Sequence, residues 1–124
     1  MKYMLLIYGD PSKWTDQTEE EGNAVMQEYF AFTGAIEASG ELVAGDPLQG
    51  IETATTVRVH GGERVLTDGP FAETKEVLGG YYLVDVADLD RALELAAQLP
   101  GAVRGYDAIE VRPLAELPPD MMPS

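Results

Sequence analysis

The feature that most constrains the fold is an uninterrupted apolar run near the start of the chain, Tyr3 to Tyr8, which Gly9-Asp10-Pro11 stops. A run of this length without alternating polar residues is typical of a strand that is covered on both faces. Such a strand needs neighbouring strands beside it and other elements above and below it. We therefore expect the chain to build a sheet around this first strand.

Two segments with helical periodicity are expected to pack against that sheet. Residues 18–39 begin with a capping box, in which Thr18 is followed three positions later by a glutamate, and they precede Gly40, which is placed to end a helix. A second helix is expected to follow Asp88 as its N-cap and to end at Pro100-Gly101. On each helix, residues that recur three and four positions apart predict the face that packs against the sheet. These are Met26, Tyr29, Thr33 and Ile36, with Val25 and Phe32 beside them, on the first helix, and Leu89, Leu93, Ala96 and Leu99 on the second.

The remaining patterned segments predict short strands. Residues 55–67 form a hairpin in this interpretation, because β-branched residues flank the turn His60-Gly61-Gly62-Glu63. The other expected strands are residues 41–44, 77–86 and 106–114, and residues 11–17 are expected to form a polar turn. The order is that of a ferredoxin-like split β-α-β fold, an α+β arrangement with two helices on one face of an antiparallel sheet. The other face also lacks polar residues, and a homodimer is the economical way to cover it.

Length and composition are those of one globular domain. The chain has 124 residues, of which 45% are hydrophobic and 24% are charged. We expect the domain to cover residues 1–115 and the acidic, Pro-rich residues 116–124 to form a disordered tail. There is no cysteine, which excludes disulfides, thiolate metal sites and a cysteine nucleophile.

The charge excludes one class of partner. Eight basic residues against 22 acidic ones give a formal net charge of −14, and such a field repels the phosphates of a nucleic acid. The surface is either a solvated acidic one or a docking face for a basic protein. No apolar run is long enough to cross a bilayer, and the N-terminal residues predict a strand and not a signal peptide. We expect a cytoplasmic protein with no membrane partner.

Several stretches resemble the YCII-related family and, more narrowly, its DGPF-domain subgroup. They are MKYMLLIYGD, LVAGDPL with TATTVRV, TDGPFAETKEVLGGYYLVDV and AIEVRPL. The subgroup takes its name from the motif that is Asp68-Gly69-Pro70-Phe71 in this chain, and the likeness covers residues 1 to about 115. The resemblance implies a ferredoxin-like fold assembled as a dimeric α+β barrel.

The resemblance implies less about chemistry. Relatives of this barrel include small oxygenases, isomerases and dehalogenase-like proteins, and some DGPF proteins are encoded beside, or fused to, extracytoplasmic-function sigma factors. A His-Asp mechanism is suggested for the wider family, with the histidine on the first helix. Residues 18–39 contain no histidine, and His60, the single histidine, falls in the predicted hairpin turn. That mechanism is therefore not carried over to this chain.

The DGPF motif has a structural and a chemical interpretation. As a rigid corner, Asp68 accepts hydrogen bonds from the following amides, Gly69 permits a positive φ, and Pro70 fixes the next φ. Phe71 is then expected to plug into the core and anchor the loop. In the chemical interpretation Asp68 transfers a proton, and Gly69 and Phe71 contact a ligand.

The segment after the motif carries the other candidates. If it is extended, Glu73 and Lys75 share a face, and they either bind a polar substrate, with Glu73 transferring a proton, or form an exposed ion pair. Tyr81 and Tyr82 face opposite sides of the sheet, so one phenol lines a pocket or both pack in the core or an interface. Arg112 holds an anionic ligand or makes an ion pair. No spacing predicts a metal site or a nucleotide fingerprint, so we expect no metal and no cofactor.

Two functions are compatible with these residues. The first is cofactor-free acid-base chemistry on, or binding of, a small polar molecule in a pocket rimmed by residues 68–76. Asp68 and Glu73 are its proton-transfer candidates, and Tyr81 or Tyr82 orients the substrate. The second is a non-enzymatic regulatory or interaction module, with an extracytoplasmic-function sigma factor as its partner. A concave site with converging polar groups favours the first, and an exposed apolar patch favours the second.

Overall fold

The first strand lies inside a sheet, as the apolar run predicts. The computed structural model describes residues 1–121. The elements are β1 (Lys2–Gly9), α1 (Pro11–Thr15), α2 (Glu19–Ala38), β2 (Leu42–Pro47), β3 (Thr55–His60), β4 (Glu63–Asp68), β5 (Val77–Asp85), α3 (Leu89–Ala97), α4 (Pro100–Val103) and β6 (Asp107–Pro113), with 3₁₀ turns at Ile51–Thr53 and Pro119–Met121. Four strands form an antiparallel sheet in the order β2-β5-β1-β6, and β3 pairs with β4 alone.

The two faces of the main sheet differ in what covers them. Along β1, Tyr3, Leu5 and Ile7 are buried under the helices, while the alternating residues are half-buried on the other side. The register pairs these alternating residues with residues of β5 on the same side. The pairs are Met4 with Leu83, Leu6 with Tyr81 and Tyr8 with Leu78. We call this uncovered side of the sheet the open face.

The helices begin where their capping residues predict. The Thr18 side chain accepts a hydrogen bond from the Glu21 N–H, and the Asp88 side chain accepts one from the Arg91 N–H. Gly40 follows α2 with φ +80°, a value that favours glycine. The largest fully buried side chains come from the sheet, from α2 and α3, and from the N-cap position of α4: Leu5, Ile36, Leu95, Leu99 and Val84. The predicted ferredoxin-like α+β fold, with helices on one face of an antiparallel sheet, is confirmed.

The inner faces of both helices match the expected ones in part, since Phe32, Ile36, Ala96 and Leu99 are buried as predicted. Met26 is 55% exposed, and Phe32 and Ile36 are the buried residues of α2. On α3, Leu89 and Leu93 are each 47% exposed. The buried residues after the N-cap are Ala92, Leu95, Ala96 and Leu99, which follow the i, i+3, i+4, i+7 pattern. A small residue, Ala92, marks the inner face of α3, and the expected positions Leu89 and Leu93 lie to one side of that face.

Two short helices replace expected turns. Asp10 caps α1 by accepting hydrogen bonds from the Ser12 N–H (3.0 Å) and hydroxyl (2.8 Å), so residues 11–17 are not a simple turn. Pro100 does not end α3, which stops at Ala97. It is instead the first residue of α4, a position where the missing N–H costs nothing.

The hairpin of β3 and β4 projects from the body. Its turn lies at Gly61 and Gly62, both with positive φ (+56° and +82°), as the sequence predicts. Every residue of β4 is exposed, and Thr56 is the one residue of β3 with partial burial. The hairpin is therefore held mainly by its base.

The C-terminal residues lie beyond the last strand. The expected disordered tail, residues 116–124, falls partly outside the described residues, which end at residue 121. Within residues 1–121, no helix has the length and apolar character that crossing a bilayer requires.

Candidate functional site

A cleft of about 630 Å³ lies at one end of the open face. Its floor is Tyr8 of β1 and Leu78 of β5, and its walls are the segment before β3 and the segment after β4. The other lining residues are Leu48, Gln49, Gly50, Ile51, Thr53, Ala54, Pro70, Phe71, Ala72, Thr74, Glu76 and Val77. We call it the loop cleft. Its volume is in the usual range for small-molecule sites.

Backbone hydrogen bonds hold the two walls in place. The Leu48 N–H donates to the Gly79 carbonyl at 2.9 Å, which ties the first wall to β5. The second wall starts at Gly69, whose N–H donates to the Ala54 carbonyl at 2.7 Å and whose carbonyl accepts from the Thr56 hydroxyl at 2.8 Å. Gly69 has φ +101°, a conformation that a side chain strains. The corner interpretation of the DGPF motif therefore describes Gly69 well.

Few residues with polar side chains line the loop cleft. They are Tyr8, Gln49, Thr53, Thr74 and Glu76. Thr74 is turned toward the backbone, since its hydroxyl donates to the Glu76 carbonyl. Among the described residues that line the cleft, Glu76 is the one with a charge at neutral pH. The site is thus an apolar recess with one carboxylate.

A second carboxylate lies close to this end of the sheet, on the helix side. Asp107, the first residue of β6, accepts a hydrogen bond from the Trp14 indole N–H at 2.9 Å. Burial raises the pKa of Asp107, the Trp14 hydrogen bond lowers it, and the charge of Glu76 raises it. Raised carboxyl pKa values are common where a protein uses an acid. The sequence analysis missed this pair, and the turn-like Asp-Pro-Ser before Trp14 was its one local signal.

Aromatic side chains fill the space between α2 and the sheet beside Asp107. Burial, followed by the charge of Asp107, raises the pKa of Tyr29 to about 12. The hydroxyls of Tyr82 and Thr33 share a hydrogen bond of 2.7 Å, and the Tyr82 ring meets Phe32 edge to face. These phenols stay protonated at physiological pH and work as packing groups with satisfied hydroxyls.

The residues predicted around the DGPF motif are not brought together. Phe71 lines the loop cleft, but it is 79% exposed and does not plug into the core as expected. Asp68 ends β4 and is exposed, and Glu73 is exposed as well; neither residue lines the loop cleft. Lys75 is exposed too, and its positive charge helps to lower the pKa of Asp10, after the hydrogen bonds from Ser12.

The other candidates lie on the sheet. Tyr81 and Tyr82 face opposite sides, as predicted. The Tyr81 hydroxyl donates to the Asp46 carboxylate at 3.2 Å on the open face, and this hydrogen bond raises the pKa of Tyr81. Tyr82 points toward the helices. Arg112 lines a separate hollow on the open face. No group of three or more histidine and acidic residues that could hold a metal ion is found between residues 1 and 121.

Comparison with solved structures gives the class of fold. The structure of a 5-chloro-2-hydroxyhydroquinone dehydrochlorinase from Burkholderia phenoliruptrix AC1100, in complex with 2,5-dihydroxybenzoquinone, matches with a TM-score of 0.51. The match covers 93% of this chain and 94% of that chain at 14% identity, so it shows a shared ferredoxin-like α+β fold and no more.

Comparison of sequences gives the family. The family model described as the YCII-related domain matches residues 1–117, and the chain therefore belongs to the YCII-related family. It is also 40% identical over 124 residues, the full length of both proteins, to an uncharacterized protein of Rhizobium meliloti (strain 1021).

Proposed function

We propose that the loop cleft binds a small organic molecule, about the size of one substituted ring, that is uncharged or positively charged. The observation that carries this proposal is the composition of the cleft: about 630 Å³, a mostly apolar lining and one carboxylate, Glu76. An apolar recess with a few placed polar groups is the usual form of a small-molecule site. The ring of the solved dehydrochlorinase's ligand guides only the size of the first probes.

Charge decides between ligand classes. An anion in the loop cleft would meet Glu76 and the field of a chain with net charge −14. A cation or a hydrogen-bond donor would pair with Glu76, and the rings of Tyr8 and Phe71 offer faces to a cation. The ligand class that fits is an aromatic or alicyclic amine, or a neutral ring with a donor group.

If the site is catalytic, its chemistry is acid-base chemistry without a cofactor. Glu76 would take the proton, because it lines the loop cleft, whereas Asp68 and Glu73 do not. Tyr8 would hold the substrate through its hydroxyl. Tyr81 lies further along the open face, where its hydroxyl is occupied by Asp46.

A series of ring compounds that differ in charge tests the proposal. Benzylamine, benzyl alcohol and benzoate have the same ring and carry a positive, no and a negative charge. We expect benzylamine to bind best and benzoate worst, with amide NMR shifts at residues 48–54 and 70–78. Failure of both benzylamine and benzyl alcohol to shift these amides at millimolar concentration would contradict the binding site.

The Glu76→Gln variant tests the role of the carboxylate. It should weaken benzylamine binding by about ten-fold, the size of one charge-assisted hydrogen bond, and leave benzyl alcohol unchanged. Glu73→Gln is the matched control, since it removes the same charge from the same loop outside the cleft. Equal effects of the two variants would show that only the general field of the chain acts.

The second candidate function is a regulatory interaction. Met26 and Phe30 are 55% and 62% exposed on α2, and an apolar pair on an acidic protein suits a partner with apolar and basic residues. We propose that this partner is a sigma factor of the extracytoplasmic-function class and that the two proteins meet in the cytoplasm.

The Phe30→Ser variant tests this interaction. It should abolish co-elution with the sigma factor and leave benzylamine binding unchanged. Co-elution that is unaffected by Phe30→Ser would remove the support for this function.

A further inference from the structure

The indole of Trp14 occupies a recess that three glycines leave open. Its ring lies against Gly9 of β1 and Gly79 of β5, where a Cβ would come within 2.7 Å and 2.6 Å of ring carbons. A Cβ on Gly101 of α4 would collide with the Asp107 carboxylate, which accepts a hydrogen bond from the indole N–H at 2.9 Å. None of these glycines has a positive φ, so the need for space, and not backbone conformation, accounts for them. We call the space between Gly9, Gly79, Gly101 and Asp107 the indole recess.

The element that carries the indole has few contacts with the body. α1 has no buried residue. In the described part of the chain, the side chains of residues 10–17 donate two hydrogen bonds outside their own segment. One runs from the Trp14 indole to Asp107, and the other runs from the Gln17 amide to the Tyr106 hydroxyl at 2.9 Å. Movement of α1 away from the sheet therefore breaks two hydrogen bonds and the packing of one ring.

The Asp107 carboxylate can accept more than the indole donates. Oδ1 accepts the indole N–H, whereas Oδ2 accepts no hydrogen bond within residues 1–121. Oδ2 is not sealed from solvent, because no buried side-chain oxygen of the described residues is left without a partner. Burial raises the pKa of Asp107, and the single neutral donor offsets this only in part. A ligand with a second donor and a positive charge binds such a carboxylate more strongly than an indole does.

We propose that the indole recess is a binding site for a flat heteroaromatic ring with two neighbouring N–H donors, that Trp14 takes the place of this ring in the present structure, and that α1 is the lid of the site. The donor edge is an amidine or a guanidine, which pairs with both carboxylate oxygens as the planar fork of an arginine does. The ring lies on Gly9 and Gly79, as the indole does here. The net charge of −14 favours a cation over an anion. This inference does not rest on the ligand proposed for the loop cleft.

Two probes of the same outline test the site. 2-Aminobenzimidazole is a cyclic guanidine with both donors, and 2-methylbenzimidazole lacks the amino donor. Because the chain has one tryptophan, a single indole N–H signal in the NMR spectrum reports whether Trp14 leaves Asp107. We expect 2-aminobenzimidazole to move this signal and the amides of residues 9–17 at a concentration about ten-fold lower than 2-methylbenzimidazole requires. An unmoved indole signal at millimolar 2-aminobenzimidazole, or equal effects of the two probes, would overturn the proposal.

The Asp107→Asn variant tests the carboxylate. The amide keeps an acceptor for Trp14, but the negative charge is gone and its NH₂ group faces the second donor of the ligand. 2-Aminobenzimidazole should therefore bind about ten-fold more weakly to this variant than to the parent. Asp16→Asn is the matched control, since it removes the same charge from the exposed end of α1, and it should bind as the parent does. Equal losses in both variants would show attraction by the general field of the chain and no site.

The Trp14→Ala variant tests the lid. Without an indole to displace, the recess is open to the ligand, and calorimetry should find an affinity for 2-aminobenzimidazole about ten-fold higher than that of the parent. An unchanged or lower affinity would show that Trp14 does not compete with the ligand, and would overturn the role of α1. Far-ultraviolet circular dichroism checks that the variant folds. If it does not, Trp14→Phe replaces it, because phenylalanine fills the recess without the hydrogen bond and should raise the affinity by a smaller factor.

Discussion

Asp107 is a carboxylate that the fold holds partly out of water at the start of β6. Its hydrogen bond from Trp14 favours the ionised form, but burial and the charge of Glu76 outweigh it, so the pKa of Asp107 is raised. A raised carboxyl pKa favours folding below the ordinary pKa, and this contribution is lost as the pH rises through the folded-state value. Ionised Asp107 therefore costs stability at neutral pH, a cost typical of residues kept for function.

Replacement of this residue should show that cost. Asp107→Asn is expected to melt at a higher temperature than the parent at pH 7, because the amide is neutral and its oxygen can still accept from Trp14. The advantage should shrink as the pH falls through the raised pKa of Asp107, because the parent carboxyl is then protonated and neutral as well. Thermal melts followed by circular dichroism between pH 3 and 8 measure both effects. A lower melting temperature at pH 7 would show that the Trp14 bond needs the charge.

The hydrogen bond itself can be tested through the same pKa. Trp14→Phe removes the donor that lowers the pKa of Asp107, so an NMR titration should find a higher pKa in the variant. The carboxyl of Asp120, in the 3₁₀ turn after the last strand, serves as the internal reference. An unchanged or lower pKa of Asp107 would mean that burial beside the indole, and not its N–H, sets the value.

Among elements, α1 depends on glycines of two neighbouring strands. The Trp14 ring lies against Gly9 of β1 and Gly79 of β5, and a Cβ on Gly79 would come within 2.6 Å of the ring. Because these two glycines have no side chains, they leave a depression in the sheet surface in which the indole packs. This explains the Gly-Gly pair at 79–80 in part, since Gly80 lies close to the backbone of Asp46 and Pro47 on the other side.

A side chain added in this depression should displace α1. Gly79→Ala is expected to lower stability by about 1–3 kcal/mol, the usual cost of overpacking, and to shift the fluorescence of Trp14, the single tryptophan, to longer wavelength. Gly34→Ala is the control, because nothing lies within 4 Å of its Cβ position on α2. That change should stabilise by about 0.5–1 kcal/mol. Equal melting temperatures for the two variants would show that the packing of Trp14 does not depend on the missing side chain at Gly79.

Elements with strong local signals are the ones that could be predicted. Thr18, Asp88 and the Gly61-Gly62 turn mark their elements in a few adjacent residues, and all three are confirmed. The five-residue α1 was missed because its cap and proline also occur in turns. The inner face of α3 was predicted only in part, because Ala92 is fully buried but, as a small residue, adds little to a hydrophobic pattern.

At the scale of the whole molecule, net charge governs association. Each chain carries −14, so two copies repel, and salt screens this repulsion more than it weakens apolar contacts. The dissociation constant of the homodimer expected from the sequence should therefore fall by about ten-fold between 50 and 500 mM NaCl, as measured by sedimentation. A dimer held mainly by ion pairs would dissociate under the same change.

The candidate site could be predicted only in part, because its residues come together only in the folded molecule. The loop cleft joins Tyr8, the residues around Gly50 and the residues around Phe71, which are far apart in sequence. Local patterns identified the third segment as unusual, but they could not tell which of its side chains face inward. Phe71 and Glu76 line the cleft while Asp68 and Glu73 do not, because the corner at Gly69 sets the direction of the loop.

The position of the loop cleft has a further consequence. Its floor, Tyr8 and Leu78, is continuous with the open face, which the homodimer expected from the sequence would cover. Ligand occupancy and subunit association would then be linked equilibria, and each would change the other by the same factor. The apparent affinity for a ligand would depend on protein concentration, and a titration at nanomolar protein would differ from one at 100 μM. In a cell, the abundance of the protein would itself set the ligand level to which it responds.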